Sequence, residues 1–382
     1  MKRMFLAAMK LSLVLVFLAA GVLPAHAHKP SDSYLTIQAR DGNRIEVRWD
    51  LSLRDLDFAL QLDRNGNGEL TWGEVRQRTA DIHRYATERL ALAAGDKPCP
   101  LQPSPNLQLD RHSDGTYAVL AFVADCPNLV NGLKLRYGAF FDVDASHRGL
   151  VQWIAPGAPS AQALIFAQTS AEQALALEAP SAWDTLRQYV VEGVWHIWIG
   201  FDHILFLLSL LLPAVLVRAA GRWEPAASLR SSSLEVLKVV TAFTLAHSVT
   251  LSLAALGVVS LPSRIVESVI AASVVLAALN NLRGTIERRR WVMAFAFGLV
   301  HGFGFASVLA DLGLPQNALT LALVGFNVGV ELGQLAIVLV FLPLAYVLRR
   351  TLFYRIGVLG FGSLAVAAIA AWWFVQRAFD LG

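Results

Sequence analysis

Four histidines, His196, His203, His247 and His301, lie inside long apolar runs of a 382-residue chain, and no histidine of that half sits in a loop. Neutral imidazole is a good ligand for a borderline transition metal. In a bilayer core an ionisable group costs at least ~2.5 kcal/mol and is normally functional or paired. Asp202, Glu267 and Glu331 share the same runs, with Asn280, Asn281, Asn327 and Gln334. The candidate intramembrane metal site is therefore His196, Asp202, His203, His247, Glu267, His301, Asn327 and Glu331. One buried histidine alone is more often a helix–helix hydrogen bond. Four histidines and three carboxylates on five helices point instead to a shared polar site. Imidazole with carboxylate suits nickel, cobalt, zinc, copper or iron in divalent form. The cysteine-free motifs, which also lack Met, disfavour soft Cu(I).

Spacing refines this set. His196 and His203 stand at i and i+7, so on a continuous helix both rings point one way, about 10 Å apart along the axis. Asp202, beside His203, can ligate directly or fix the ring tautomer. Asn327, Glu331 and Gln334 form one stripe, and Gly325, Gly329 and Gly333 a second that admits a neighbouring helix closely. Gly298 and Gly302 repeat that pattern around His301. By depth, His196, Glu267, Asn327 and Glu331 fall in the outer half of the bilayer. Asp202, His203, His247 and His301 fall nearer its middle.

These residues must be positioned by membrane helices. Hydrophobic residues make up 55% of the chain and charged ones only 16%, where a soluble domain carries about 25% charge. Six apolar segments are long enough to span, at 193–216, 236–259, 262–282, 291–311, 318–347 and 355–376; the fifth is long enough to tilt or break. The basic residues gather in three loops, around Arg218 to Lys238, Arg283 to Arg290 and Arg349 to Arg355. The positive-inside rule places those loops in the cytoplasm and residues 28–182 outside. Residues 1–27 read independently as a signal peptide, with Lys2, Arg3 and Lys10 before an apolar run and Ala25-His26-Ala27 as the cleavage pattern. The expected location is the cell inner membrane, with a periplasmic N-terminal domain. The net charge of +3 is carried by that leader's three basic residues. No basic stripe with interleaved aromatics favours nucleic acid.

The exported part, 28–182, reads as a mainly β, sandwich-like domain. A hairpin is expected over 33–53 with its turn at Asp41-Gly42-Asn43, and strand-like runs at 116–124, 133–143 and 161–168. A helical stretch covers 54–93, and the Pro- and Ala-rich residues 155–182 suit a linker. Within the helical insertion, residues 63–74 fit a twelve-residue EF-hand loop. Asp63, Asn65, Asn67, Glu69 (through its backbone), Thr71 and Glu74 are the ligand positions, with Gly68 at the turn. Two charged side chains at the ion predict a weak Ca²⁺ site, with Kd roughly 10⁻⁴–10⁻³ M. Cys99 and Cys126, the only two cysteines, are expected to pair in an oxidising compartment. The fold class is thus a six-helix membrane bundle, residues 183–382, preceded by a β-rich domain with an EF-hand-like insertion.

The segments HIWIGFDHILFLLSLLLP (196–213), FTLAHSVTLSLAALG (243–257), ESVIAASVVLAALNN (267–281), FGLVHGFGFASVL (297–309) and FNVGVELGQLAIV (326–338) resemble the HupE/UreJ family of membrane proteins. The resemblance covers the membrane half and points to a branch with an extra exported domain beginning HKPSDSYL. It maps an HX5DH motif onto His196, Asp202 and His203, and an HG segment onto His301-Gly302. It implies uptake of nickel or cobalt and hence a transition-metal permease; no nucleotide-binding signature is present. Two other classes are open: an intramembrane metallohydrolase with a carboxylate base, and a metal sensor or assembly protein.

Overall fold

The structure, a computed structural model, describes residues 32–379 apart from 41–42, 113–114, 128–131, 159–160, 179–180, 220–221, 285–288, 306–313 and 315. The leader at 1–27 and most of the turn at 41–43 lie outside the described residues. In chain order the N-terminal half runs β1 (Asp32–Ala39), β2 (Arg44–Ser52), α1 (Leu53–Leu60), α2 (Trp72–Gln77), α3 (Thr79–Arg89), β3 (Leu90–Ala94) and β4 (Lys97–Cys99). It continues with β5 (Gln102–Pro103), β6 (Gln108–His112), β7 (Gly115–Asp125), β8 (Leu133–Tyr137), β9 (Arg148–Ile154), β10 (Gln162–Phe166) and β11 (Glu172–Leu175). β1 and β2 pair antiparallel with Leu35 opposite Trp49. Their alternation buries Leu35 and Ile37 from one strand and Ile45, Val47 and Trp49 from the other, the period of two that a half-buried strand requires.

Among the described residues, one sheet holds seven strands, ordered β10-β9-β1-β2-β7-β5 with β6 also on β7, and a second holds four, ordered β11-β8-β3-β4. The pairing is mixed: β9 runs parallel to β1 and antiparallel to β10. Both sheets feed one core, in which Trp49 meets Tyr137 edge-on at 5.5 Å. Cys99, at the end of β4, is bonded to Cys126, just beyond β7, so the disulfide ties one sheet to the other.

Two expectations need correction. The stretch 54–93 is three short helices, interrupted by the Asp/Asn/Gly loop, and it ends at Arg89. Leu90–Ala94, alanine-rich and helix-favouring by propensity, is drawn into a strand by pairing with both β4 and β8. The stretch 155–182 is not a linker throughout: it carries β10, inside the strand-like run expected at 161–168, and β11, whose sequence EQAL gives little local strand signal; they pair with β9 and β8 respectively.

The second half comprises α4 (Ala182–Ile199), α5 (Phe201–Leu211), a hairpin of β12 (Leu216–Ala219) and β13 (Arg222–Pro225), α6 (Leu229–Ala255), α7 (Ser263–Arg283), α8 (Arg290–His301), α9 (Gln316–Leu348), and a π-helical segment Phe353–Phe361 that runs into α10 (Gly362–Phe379). Among the described residues four helices are long and apolar enough to cross a bilayer, or five if α4 and α5, bent by 73°, count as one broken span. The first expected span is therefore not a continuous helix over 193–216. The fourth, 291–311, is the twelve-residue α8 followed by the turn Gly302–Gly304; residues 306–311 lie outside the described part. The fifth stays one helix despite Pro343. The halves meet through an apolar cluster in which Leu150 of β9 and Ile165 of β10 join Tyr189, Leu319, Leu323 and Phe326 of the helices.

Candidate metal centre

The break between α4 and α5 creates the site. Gly200 caps α4, donating its N–H to the His196 carbonyl at 3.2 Å. A Cβ there would stand 2.7 Å from that carbonyl oxygen and 2.8 Å from His203 Nδ1, so only glycine fits. The bend folds His203 back toward His196. Their ring centroids lie 4.4 Å apart, not the ~10 Å axial spacing of a straight helix.

Glycines bring the other helices in. Gly193 of α4 faces the Phe326 carbonyl, and Gly329 of α9 faces the Val190 carbonyl; Gly325 and Gly333 approach Leu186 and Val194. A Cβ at any of these positions would crowd the partner, so the small-residue stripe allows the close approach of α9 to α4. Gly298 and Gly302 do the same for α8 against Phe243 and His247 of α6.

Four helices thereby deliver four imidazoles to one place. His203 meets His301 at 5.5 Å and His196 meets His247 at 6.4 Å, centroid to centroid. His196, expected at a shallower depth than the other three histidines, thus joins them in one cluster. Each ring keeps a buried nitrogen with no hydrogen-bond partner: Nε2 of His196, His203 and His247, and Nδ1 of His301. Two tautomers follow from the bonds at the opposite nitrogens. Asn327 commits its Nδ2 to the Leu323 carbonyl at 2.8 Å, and its Oδ1 faces His247 Nδ1 at 3.4 Å; the ring proton then sits on Nδ1 and the Nε2 lone pair is bare. Ser273 donates its hydroxyl to the Ile270 carbonyl at 2.6 Å and faces His301 Nε2 at 2.8 Å. His301 is therefore the donor to Ser273, and its Nδ1 lone pair is bare. Such outer bonds fix a ring for ligation.

The carboxylates behave differently. Asp202 Oδ2 pairs with Arg377 at 2.8 Å, both side chains largely buried. Glu331 accepts a hydrogen bond from Thr241 at 3.3 Å, one helical turn from a Thr244–Gln334 bond of 3.2 Å. At Glu267 the backbone carbonyl accepts from Arg377. Among the described residues no three His, Cys, Asp or Glu side chains stand in an arrangement that would hold a metal ion. The rings converge without their donor atoms being aimed at one point, so ligation requires the rings to turn.

Aromatic rings wall the cluster. Phe305 and Phe326 stack in parallel at 4.3 Å and flank His196 at 4.9 and 5.1 Å. Behind Phe305 stands Arg148 of β9, its guanidinium 5.2 Å from that ring and paired with Asp32 through bonds of 2.9 and 3.1 Å. Burial works against the Arg148 charge, and Asp32 together with Glu192 outweighs it, holding the guanidinium above its ordinary value. Gly200, Ser273, Arg377 and Arg148 were not anticipated as site residues. Neither the glycine midway between His196 and His203 nor Ser273, one hydroxyl in an apolar run, stands out in the sequence.

In the N-terminal domain the loop 63–74 is ordered by its own side chains. Asp63 accepts from the N–H groups of Gly66 and Gly68 at 2.8 Å each, Asn65 from Asn67 at 3.0 Å, and Asn67 from Glu69 at 2.8 Å. Glu74 closes a capping box with Thr71 and accepts from Asn65 Nδ2 at 3.0 Å. Those Thr71 bonds hold its carboxyl below the usual range.

A family model described as HupE / UreJ protein matches residues 171–377, more than half of the chain. No curated protein matches it.

Proposed function

Because the chain belongs to the HupE/UreJ family, multi-pass membrane proteins connected with nickel and cobalt transport, we propose that it is a permease for a divalent transition metal, with nickel or cobalt as cargo and zinc as the nearest alternative. The supporting observation is that four imidazoles from four helices each carry a buried nitrogen without a partner. A buried polar atom left unmatched costs about 1–3 kcal/mol, and four such atoms in one cluster are explained by an ion that passes among them. Incomplete coordination suits passage, since a conduction site must bind weakly enough to release. The Glu331–Thr241 and Gln334–Thr244 contacts offer oxygen ligands beyond the imidazoles.

In this reading the basic loops face the cytoplasm, the chain lies in the cell inner membrane, and the exported domain is periplasmic. The test is nickel and cobalt uptake by cells expressing wild type and His203→Ala. The expected result is at least tenfold lower uptake with normal membrane insertion; unchanged uptake overturns the proposal. A hydrolase would need a carboxylate poised to take a proton from metal-bound water, and Asp202, beside the rings, is committed to Arg377. The geometry favours the permease. For the loop 63–74 we propose weak Ca²⁺ binding with a structural role. Millimolar Ca²⁺ should raise the melting temperature of the wild type and not of Glu74→Gln.

A further inference from the structure

At the basic end of the helices, away from the histidines, a groove of about 390 Å³ opens between the β12–β13 hairpin and the start of the last span. Trp223 of β13, Asn281 of α7 and Arg355 form its polar part, with Asn281 donating to the Ser209 carbonyl and the Ser363 hydroxyl; Ile356, Gly360, Phe361 and Leu364 continue it. Arg355 lies in the nine-residue π-helical segment Phe353–Phe361, a rare geometry that recurs at functional sites.

Two observations ask for an anion. Arg355 Nε is buried with no hydrogen-bond partner, and among the described residues its guanidinium makes no ion pair. The cationic neighbourhood is dense: Arg218 and Arg290 stand 5.9 and 5.6 Å from the Trp223 ring. Among the described residues no carboxylate lines the groove. Arg355 is half-buried, and its Nε is shut off from water without an acceptor, which is costly unless something outside the chain supplies one.

A third observation identifies the carrier of that anion. Ile356, Phe361 and Leu364 are 57%, 68% and 54% exposed, on a helix apolar enough to span a bilayer. The groove therefore runs from a cationic, indole-bearing end at the membrane surface into a face that meets hydrocarbon. A free anion would leave that apolar part wet. An anionic phospholipid fits both ends: its phosphate accepts from the Arg355 fork, and one acyl chain lies along Ile356, Phe361 and Leu364.

We infer that this groove is a binding site for an anionic glycerophospholipid, with Arg355 as the headgroup ligand. This is independent of what the histidines carry. The test measures the melting temperature of the purified full-length chain in non-ionic detergent with phosphatidylglycerol, phosphatidylcholine or inorganic phosphate. Phosphatidylglycerol should raise it by several degrees, and the other two should not. Arg355→Gln should lose at least half of the shift, whereas Arg350→Gln, an exposed charge on the same side, should keep it. Gly360→Leu is a second probe that leaves every charge in place. A Cβ at Gly360 meets only the Arg355 carbonyl at 3.8 Å, so the larger side chain fills the groove and should abolish the shift. An equal shift in wild type, Arg355→Gln and Gly360→Leu overturns the site. A shift reproduced by inorganic phosphate overturns the lipid.

Discussion

His147 is sealed inside the N-terminal domain, where its Nε2 meets the Tyr137 hydroxyl at 2.7 Å and that hydroxyl meets Ser33 at 2.5 Å. Burial pushes its imidazole down to about 3. An unfolded chain takes up the proton near 6.5, so between these values the unfolded state binds more protons. Stability is then whole above about pH 6.5 and falls with acidification, by about 2 kcal/mol at pH 5. Asp50 acts lower on the scale. Burial raises its carboxyl, but bonds from His112 and Arg48 outweigh that and hold it below the usual range, so its contribution is lost only as pH falls below the ordinary carboxylate range, ~4. The window from pH 5 to 6.5 lies above the Asp50 contribution, and His83, which burial also lowers, shares it with His147. His147→Phe should reduce the dependence of melting temperature on pH there, and a wild-type slope retained in that variant would refute the assignment. Side-chain chemistry was readable in sequence only where composition made it anomalous. Histidines stand out in apolar helices; His147, in the mostly polar run 142–148, carries no such signal.

The hinge between α4 and α5 belongs to the element scale. Gly200→Ala should force the bend open, because its Cβ would meet both His196 and His203 inside 3 Å. The expected outcome is loss of the cobalt absorption bands of the purified protein and at least a tenfold fall in uptake, with insertion intact. Cobalt bands equal to wild type would show that the bend is dispensable. The glycine stripes on α9 and α8 were legible, since spacing by four places small residues on one face, and the contacts of Gly329 and Gly302 match that reading. The break was not, because glycine is frequent in unbroken membrane helices. The π-helical turn at 353–361 was hidden for a similar reason: its apolar residues fit an ordinary helix equally well. In the N-terminal domain, β3 and β11 depend on pairing with β8, a long-range contact that local propensity does not carry.

At the scale of the whole molecule, two sheets and a set of membrane helices share apolar contacts, and one covalent link holds the sheets. The disulfide closes a 27-residue separation, worth about 3.5 kcal/mol by chain entropy. Cys99→Ala with Cys126→Ala should lower the melting temperature and speed proteolysis of the N-terminal domain; unchanged values would mean that the shared core alone suffices. The bend at Gly200 has a consequence at this same scale. α4 packs most extensively against α9, and α5 against α7, so the two halves of the broken helix ride on different neighbours. They act as the jaws of a calliper, each carrying one imidazole. Any rotation of one helix pair against the other changes the aperture, and a fully straightened span would part the rings toward ~10 Å along its axis. Capture and release of a small ion can then be driven by an angle, without either histidine leaving its helix.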